Sequence, residues 1–373
     1  MSVALTPLGL PDFPWDSLAP YKARAVAHPD GIVDLSVGTP VDPTPEVVQR
    51  ALAAAADAPG YPTTAGTDEL REAICAWFER RRGVTGLQPG AVLPTIGSKE
   101  LVAWLPTLLG IGAGDLVGIP AIAYPTYDVG ARLAGATAVV AQSLTSLGPL
   151  TPSTTPKLVW LNSPGNPHGQ VLGVEHLRKV VRWARQHGVI VASDECYAEL
   201  DWRDGTVGTT PSILHPDVCE GSHDGLLAVY SLSKQSNLAG YRSAFVAGDP
   251  ELIGRILEVR KHAGMIVPAP VQHAMTVALG DDTHVETQRT AYARRRALLL
   301  DAVARAGLRV DHSEAGLYLW ATREEDCWTT VSDLADRGIL VAPGAFYGEA
   351  GRQHVRIALT ATDERVAAAC ARL

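Results

Sequence analysis

One lysine stands out by its setting. Lys234 lies in Ser231-Leu232-Ser233-Lys234-Gln235-Ser236-Asn237-Leu238-Ala239-Gly240-Tyr241-Arg242, directly after the apolar run 226–230. A lysine at the end of a buried strand is partly desolvated. Its amine pKa falls, and it can attack an aldehyde to form an imine. The hydroxyls of Ser231 and Ser233 and the guanidinium of Arg242 can hold a phosphate nearby. Asp194, in Asp194-Glu195-Cys196-Tyr197, follows another apolar run. At a strand's C-terminal end it lies where open α/β sheets bind ligands. Its carboxylate can keep a pyridinium protonated, or can cap a helix. Asn166 sits in the turn cluster Asn162-Ser163-Pro164-Gly165-Asn166-Pro167-His168-Gly169. Three strand ends thus carry Asn166, Asp194 and Lys234 in chain order, and the combination is more specific than any member.

Two further segments add to this set. Gly97-Ser98-Lys99-Glu100 lies between a strand and a helix, where backbone N–H groups bind phosphate. In His354-Val355-Arg356-Ile357-Ala358, an arginine flanked by apolar residues needs a partner if buried. That partner is a ligand carboxylate or a structural ion pair.

The elements that must position these residues follow from periodicity. Apolar runs at 91–96, 116–119, 137–140, 157–161, 189–192, 226–230 and 244–247 read as strands. Helical patterns at 46–57, 67–82, 98–109, 126–134 and 174–187 alternate with them. Thr67 is a plausible N-cap and Gly188 a helix stop. Such alternation implies an α/β fold with a largely parallel sheet. From about Pro268 the character changes. A long Arg-rich helix over 270–306 and a strand, hairpin and helix pattern suggest a smaller α+β domain. The division is an N-terminal arm at 1–44, a large domain at 45–267 and a small domain at 268–373.

Composition narrows the function classes. The chain has 373 residues, 46% apolar and 19% charged, with net charge −8. It is long enough to bury a large core without disulfides or metals. The acidic balance argues against a general nucleic-acid role. The five cysteines are scattered, with no C-x-x-C pair, so reduced thiols and no metal site are expected. Residues 1–10 lack the features of a signal peptide, and the apolar stretch 101–123 is broken by Pro106, glycines, Asp115 and Pro120. A soluble, cytoplasmic protein with no membrane association is expected.

Together these motifs resemble the class I/II aminotransferases, the fold-type I enzymes dependent on pyridoxal 5′-phosphate (PLP). The pattern S-x-S-K-x-x-x-x-x-G-x-R is complete at Ser231, Ser233, Lys234, Gly240 and Arg242, and D-E-x-Y fits at Asp194, Glu195 and Tyr197. N-x-P-x-N-P-x-G fits at 162–169, with His168 where the family most often has Thr. The resemblance runs from Val37-Gly38 to Arg356. It implies a mainly parallel seven-stranded sheet sandwiched by helices in the large domain. Lys234 would hold the cofactor as an imine and shuttle the substrate's α-proton. Asp194 would pair with the pyridine nitrogen, Tyr197 and Asn166 with the ring's phenolic oxygen, and Tyr124 would stack on the ring. Gly97, Ser98 and Lys99, with Ser231, Ser233 and Arg242, would surround the phosphate. Arg356 and the Gly38 backbone would take the substrate α-carboxylate. Tyr61 would reach the phosphate in the partner subunit, which implies a homodimer with composite sites. His168 is expected to affect loop stability only.

The segments 33–43, 123–132, 260–265 and 338–344 are similar to actinobacterial N-succinyldiaminopimelate aminotransferases. That resemblance implies ping-pong transamination between N-succinyl-LL-2,6-diaminopimelate and 2-oxoglutarate. Aspartate, alanine or N-acetylornithine transamination and a PLP β-lyase are the alternatives. The arm's first 15 residues, with Phe13, Pro14 and Trp15, are candidates for a lid.

Overall fold

The computed structural model describes residues 9–141, 143, 146–148, 150–203 and 210–373. Its centre is a seven-stranded sheet. Across the sheet the strands run Val92–Ile96, Ser243–Gly248, Leu226–Ser231, Ile190–Asp194, Leu158–Asn162, Leu116–Ile119 and Thr137–Val140. Only Ser243–Gly248 runs against the direction of the other six. The expected α/β fold with a mainly parallel sheet is therefore present.

Helices cover both faces, so the central strands are apolar on both. In Leu226–Ser231, Leu226, Ala228 and Tyr230 enter one core cluster, whereas Leu227 and Val229 enter another. This is the two-residue side-chain period of a strand. Trp77 and Phe78 fill the first cluster and Trp160 and Tyr127 the second. The helix Asp68–Arg82 begins where Thr67 Oγ1 accepts from Leu70 N at 3.2 Å, and it stops at Gly83 in the left-handed region.

A second, antiparallel sheet pairs Ala342–Pro343, His354–Ala358, Tyr318–Thr322 and Arg309–Val310 in that order. Beside it, Val33–Asp34 runs parallel to Ile339–Leu340. These elements share a third core with Leu18, Leu35, Tyr292 and Leu299.

The single helix expected over 270–306 is two, Ala269–Gly280 and Thr283–Arg305. Asp281 is extended, and its carboxylate accepts from Thr283 N at 3.1 Å, so a new helix start interrupts the old one. Ala269–Gly280 packs Ala274, Met275 and Ala278 into the first core.

The loop after Leu158–Asn162 is tied to the second sheet by backbone hydrogen bonds. Ser313 N donates to His168 O at 2.8 Å and Ala315 N to Gly169 O at 2.9 Å. The His168 ring fills the space beside Gly165, where a Cβ would lie 2.1 Å from its Cε1. Burial, helped by nearby His312, pushes the His168 pKa down from 6.5 to about 4. Here the unfolded chain binds the proton more readily than the native one. Stability is therefore full above pH 6.5 and lost as pH falls from 6.5 to about 4. The loss is at most about 3 kcal/mol. His168→Thr should make acid destabilisation shallower over that interval, measured as denaturation midpoints at pH 7.5 and 4.5. An equal loss in both proteins would refute the assignment.

Candidate active site

Parallel register brings the strand ends together. Asn162 pairs with Asp194, and Asp194 with Val229. The loop bearing Asn166, the carboxyl of Asp194 and the turn bearing Lys234 therefore leave the same edge of the sheet.

Lys234 lies in a single helical turn, Leu232–Gln235, directly after its strand. Ser231 caps that turn. Its Oγ accepts from Ser233 N at 3.2 Å and donates to Ser233 Oγ at 2.8 Å. The Lys234 amine donates to the Gly38 carbonyl. Burial lowers its pKa, against the opposing influence of Tyr318; Arg356 and Arg242 add to the depression. The desolvated amine expected at this strand end is thus in place.

Asp194 is buried at the last position of its strand. Tyr127 donates its hydroxyl to Oδ2 at 2.9 Å, and Cys196 N donates to Oδ1 at 3.2 Å. Burial raises the Asp194 pKa, and these bonds only partly offset that. Among the described residues no cation forms an ion pair with it. A buried carboxylate without a counter-charge calls for a cationic ligand group. Tyr127 itself is fully buried and stacked on Trp160 at 4.9 Å.

Arg356 faces this group from the second sheet. It is buried, donating from Nη1 to Asn166 Oδ1 at 3.1 Å and from Nη2 to Ser36 O at 2.6 Å. The Tyr318 ring lies 4.0 Å from its guanidinium carbon, Tyr347 at 5.1 Å and Trp15 at 5.9 Å. No carboxylate pairs with it among the described residues, and its Nε is buried without a partner. The structural ion pair that sequence leaves open is not the one found. Asn166 is in turn held by Asn162, whose Oδ1 accepts from Asn166 N at 2.7 Å.

At the sheet's other side, Ile96 pairs with Ser243. That register sets Gly97 against Arg242. Gly97 has φ +79°, and a Cβ there would lie 2.0 Å from Arg242 Nη2, so only glycine fits. Ser98 opens the helix Ser98–Leu108, whose N-cap Gly97 makes no side-chain cap hydrogen bond. Lys99 turns its side chain outward, with its ammonium 5.5 Å over the Phe13 ring. Tyr124 is half-buried and lies edge-on to Tyr127 at 5.9 Å. Burial pushes its phenol up to about 12.

The structure therefore gathers Lys234, Asp194, Asn166, Arg356 and Gly38, and beside them Gly97, Ser98, Arg242, Ser231, Ser233, Tyr124 and Tyr197. Tyr61 is fully exposed and joins none of these hydrogen bonds. Of the arm, Phe13 and Trp15 border the cluster, whereas residues 1–8 lie outside the described residues. Tyr127 and Tyr318 were not singled out from sequence. Tyr127 lies in the first turn of the helix Thr126–Leu133, and Tyr318 alternates with Trp320 on a strand. Neither placement marks a site rather than a core. No helix is long and apolar enough to cross a membrane, and no cluster of metal-binding side chains occurs among the described residues.

Comparison with known proteins gives this geometry a family. The family model described as aminotransferase class I and II matches residues 30–373. A probable aminotransferase of Mycobacterium tuberculosis is 64% identical over 98% of this chain and 85% of its own. The 4-dedimethylamino-4-oxo-anhydrotetracycline transaminase OxyQ of Streptomyces rimosus is 62% identical over 98% of this chain and 99% of its own. An LL-diaminopimelate aminotransferase of Gloeobacter violaceus is 35% identical over 96% of each chain. Among solved structures, an aminotransferase from Neisseria meningitidis superposes with a TM-score of 0.86 at 31% identity, covering 98% of this chain and 97% of that one. The chain belongs to the class I and II aminotransferases, enzymes whose cofactor is pyridoxal 5′-phosphate.

Proposed function

We propose that this aminotransferase passes the amino group of N-succinyl-LL-2,6-diaminopimelate to 2-oxoglutarate in two half-reactions through Lys234. The observation that carries the amino-acid chemistry is the buried, carboxylate-free guanidinium of Arg356. The choice of the succinylated amino acid rests on the resemblance of segments 33–43, 123–132, 260–265 and 338–344 to enzymes of that specificity. Two relatives support other readings. The relative from Gloeobacter violaceus favours LL-diaminopimelate itself, and OxyQ favours a polycyclic ketone as amino acceptor.

The residues fit the cofactor. Asp194 is a buried carboxyl with no cationic partner among the described residues, and a protonated pyridine nitrogen would be such a partner. Gly97 lets the Arg242 guanidinium approach the start of a helix, a pairing suited to a phosphate. Ser231, Ser233 and the Ser98 and Lys99 backbone would complete that site, and Tyr61 would reach the partner subunit's phosphate in a homodimer. Tyr197 and the free amide of Asn166 would donate to the phenolic oxygen, and Tyr124 would lie on the ring. When bound, PLP supplies the electron sink that lets an amino acid lose its α-proton.

The chain's own work is then local. Arg356, with the Gly38 backbone, binds and orients the α-carboxylate. Lys234 Nζ, whose charged form burial disfavours, takes the proton from the α-carbon and returns it on the other side of the exchange. Asp194 holds its negative charge against the ring nitrogen, and Tyr127 keeps that carboxyl aimed.

Arg356→Gln should lower kcat/KM for the amino donor by about 100-fold or more, since a buried charge partner is lost. The melting temperature should hold or rise, because an unpaired buried charge is removed. A large fall in melting temperature with little change in kcat/KM would mean the guanidinium is structural. Substrate choice is read by adding single donors to the holoenzyme and following cofactor absorbance without any 2-oxo acid. Conversion by N-succinyl-LL-diaminopimelate and glutamate, but not by LL-diaminopimelate, aspartate, alanine or N-acetylornithine, is expected. Conversion by LL-diaminopimelate alone would replace the substrate. Release of pyruvate from a β-substituted amino acid, with no donor converted, would point to a β-lyase.

A further inference from the structure

Tyr318 occupies an unusual place. It lies on the strand next to that of Arg356, two residues from Trp320, which pairs with Arg356. Diagonal neighbours on one face of a sheet touch. The phenol ring accordingly covers the guanidinium at 4.0 Å. The same side chain then crosses to the seven-stranded sheet. Its hydroxyl lies 3.1 Å from that of Tyr197, which follows the strand ending in Asp194. Both rings are buried, their centroids 5.7 Å apart. The hydroxyl also presses on Gly38, where a Cβ would sit 2.0 Å from it, and Gly38 supplies the carbonyl that receives the Lys234 amine. One side chain thus touches the carboxylate grip, the Tyr197 hydroxyl and the peptide that holds Lys234.

We propose that Tyr318 is a positioning residue that joins substrate grip to cofactor contact: its ring fixes Arg356 and its hydroxyl shares the proton of Tyr197. The proposal rests on the reading that Tyr197 faces the cofactor's phenolic oxygen. Packing alone would require only the ring, and phenylalanine would serve. The hydroxyl has a separate purpose because it meets another hydroxyl inside the protein, where an unshared polar group is costly. The titratable and charged groups facing the pair are Arg356 from the second sheet, Lys234 from its turn, Cys196 beside Tyr197, and Tyr124, Tyr292 and Tyr347. With the Arg356 guanidinium 4.0 Å from its ring, the Tyr318 oxygen is the natural acceptor and Tyr197 the donor. Removing that acceptor leaves the Tyr197 proton wholly to the cofactor's phenolic oxygen. The ionised ring oxygen is then favoured, and the pH midpoint of the bound cofactor's absorbance moves down.

Two variants separate hydroxyl from ring. In the holoenzyme, Tyr318→Phe keeps the ring over Arg356 and loses only the tether. Its half-reaction rate constant should fall about tenfold and its absorbance midpoint by about half a unit. Its apparent Kd for a donor that the wild type converts should stay within about twofold. Tyr318→Leu removes the ring as well, and its apparent Kd should rise about tenfold. A Tyr318→Phe protein matching wild type in both rate constant and midpoint would overturn the proposal, as would equal losses of donor affinity in the two variants. If Tyr318→Leu does not fold, the rate constant and midpoint of Tyr318→Phe decide alone. A wild-type holoenzyme converted by no donor would count against the function reading, whereas the midpoint comparison reports on Tyr318 without any donor.

Discussion

A guanidinium buried without a carboxylate is the constraint around which this structure is arranged. Removing such a charge from water costs several kcal/mol even after relaxation. Arg356 recovers part of that from two oxygens, Asn166 Oδ1 and Ser36 O, and part from aromatic faces. None of these neutralises the charge. An anionic ligand would. The same arrangement explains several neighbours. Asn166 must be locked by Asn162 so that its oxygen faces the arginine. The segment before Gly38 must run close enough for the Ser36 carbonyl to reach.

Asp194 is the complementary case. Among the described residues its buried carboxyl has hydroxyl and N–H donors but no cation, and burial raises its pKa. The Lys234 amine is held by a backbone carbonyl, and its charge is disfavoured by burial. Burying an amine, a carboxyl and a guanidinium without countercharges is expensive for folding. The cost is met by the apolar filling of the seven-stranded sheet on both faces, where Trp77, Trp160 and Phe245 are fully enclosed. Stability and chemistry are thus divided between strand interiors and strand ends.

Much of this was legible in the sequence. The strand at 116–119 and the helix at 174–187 lie where periodicity puts them. Long amphipathic or apolar segments carry strong periodic signals, and strand ends inherit their accuracy. The motif residues Asn166, Asp194 and Lys234 therefore converge as expected. Other features were not legible. The break at Asp281 depends on one carboxylate finding a backbone N–H, a choice that the helical pattern on either side conceals. Tyr127 and Tyr318 read as core aromatics, because contact with Asp194 or Arg356 depends on tertiary approach rather than on spacing. The distal end of the substrate pocket lacks any signal in spacing, which is why the succinylated substrate rests on resemblance.

The central claim is that Lys234, and no other lysine, carries the cofactor. The chain has only six lysines, so one experiment separates them. Borohydride reduction of the PLP-loaded enzyme fixes any imine as a stable amine, and peptide mapping by mass spectrometry locates it. A single modified peptide containing Lys234 is the predicted result. Modification at Lys22, Lys99, Lys157, Lys179 or Lys261 instead, or no modified peptide from a visibly yellow enzyme, would contradict the account.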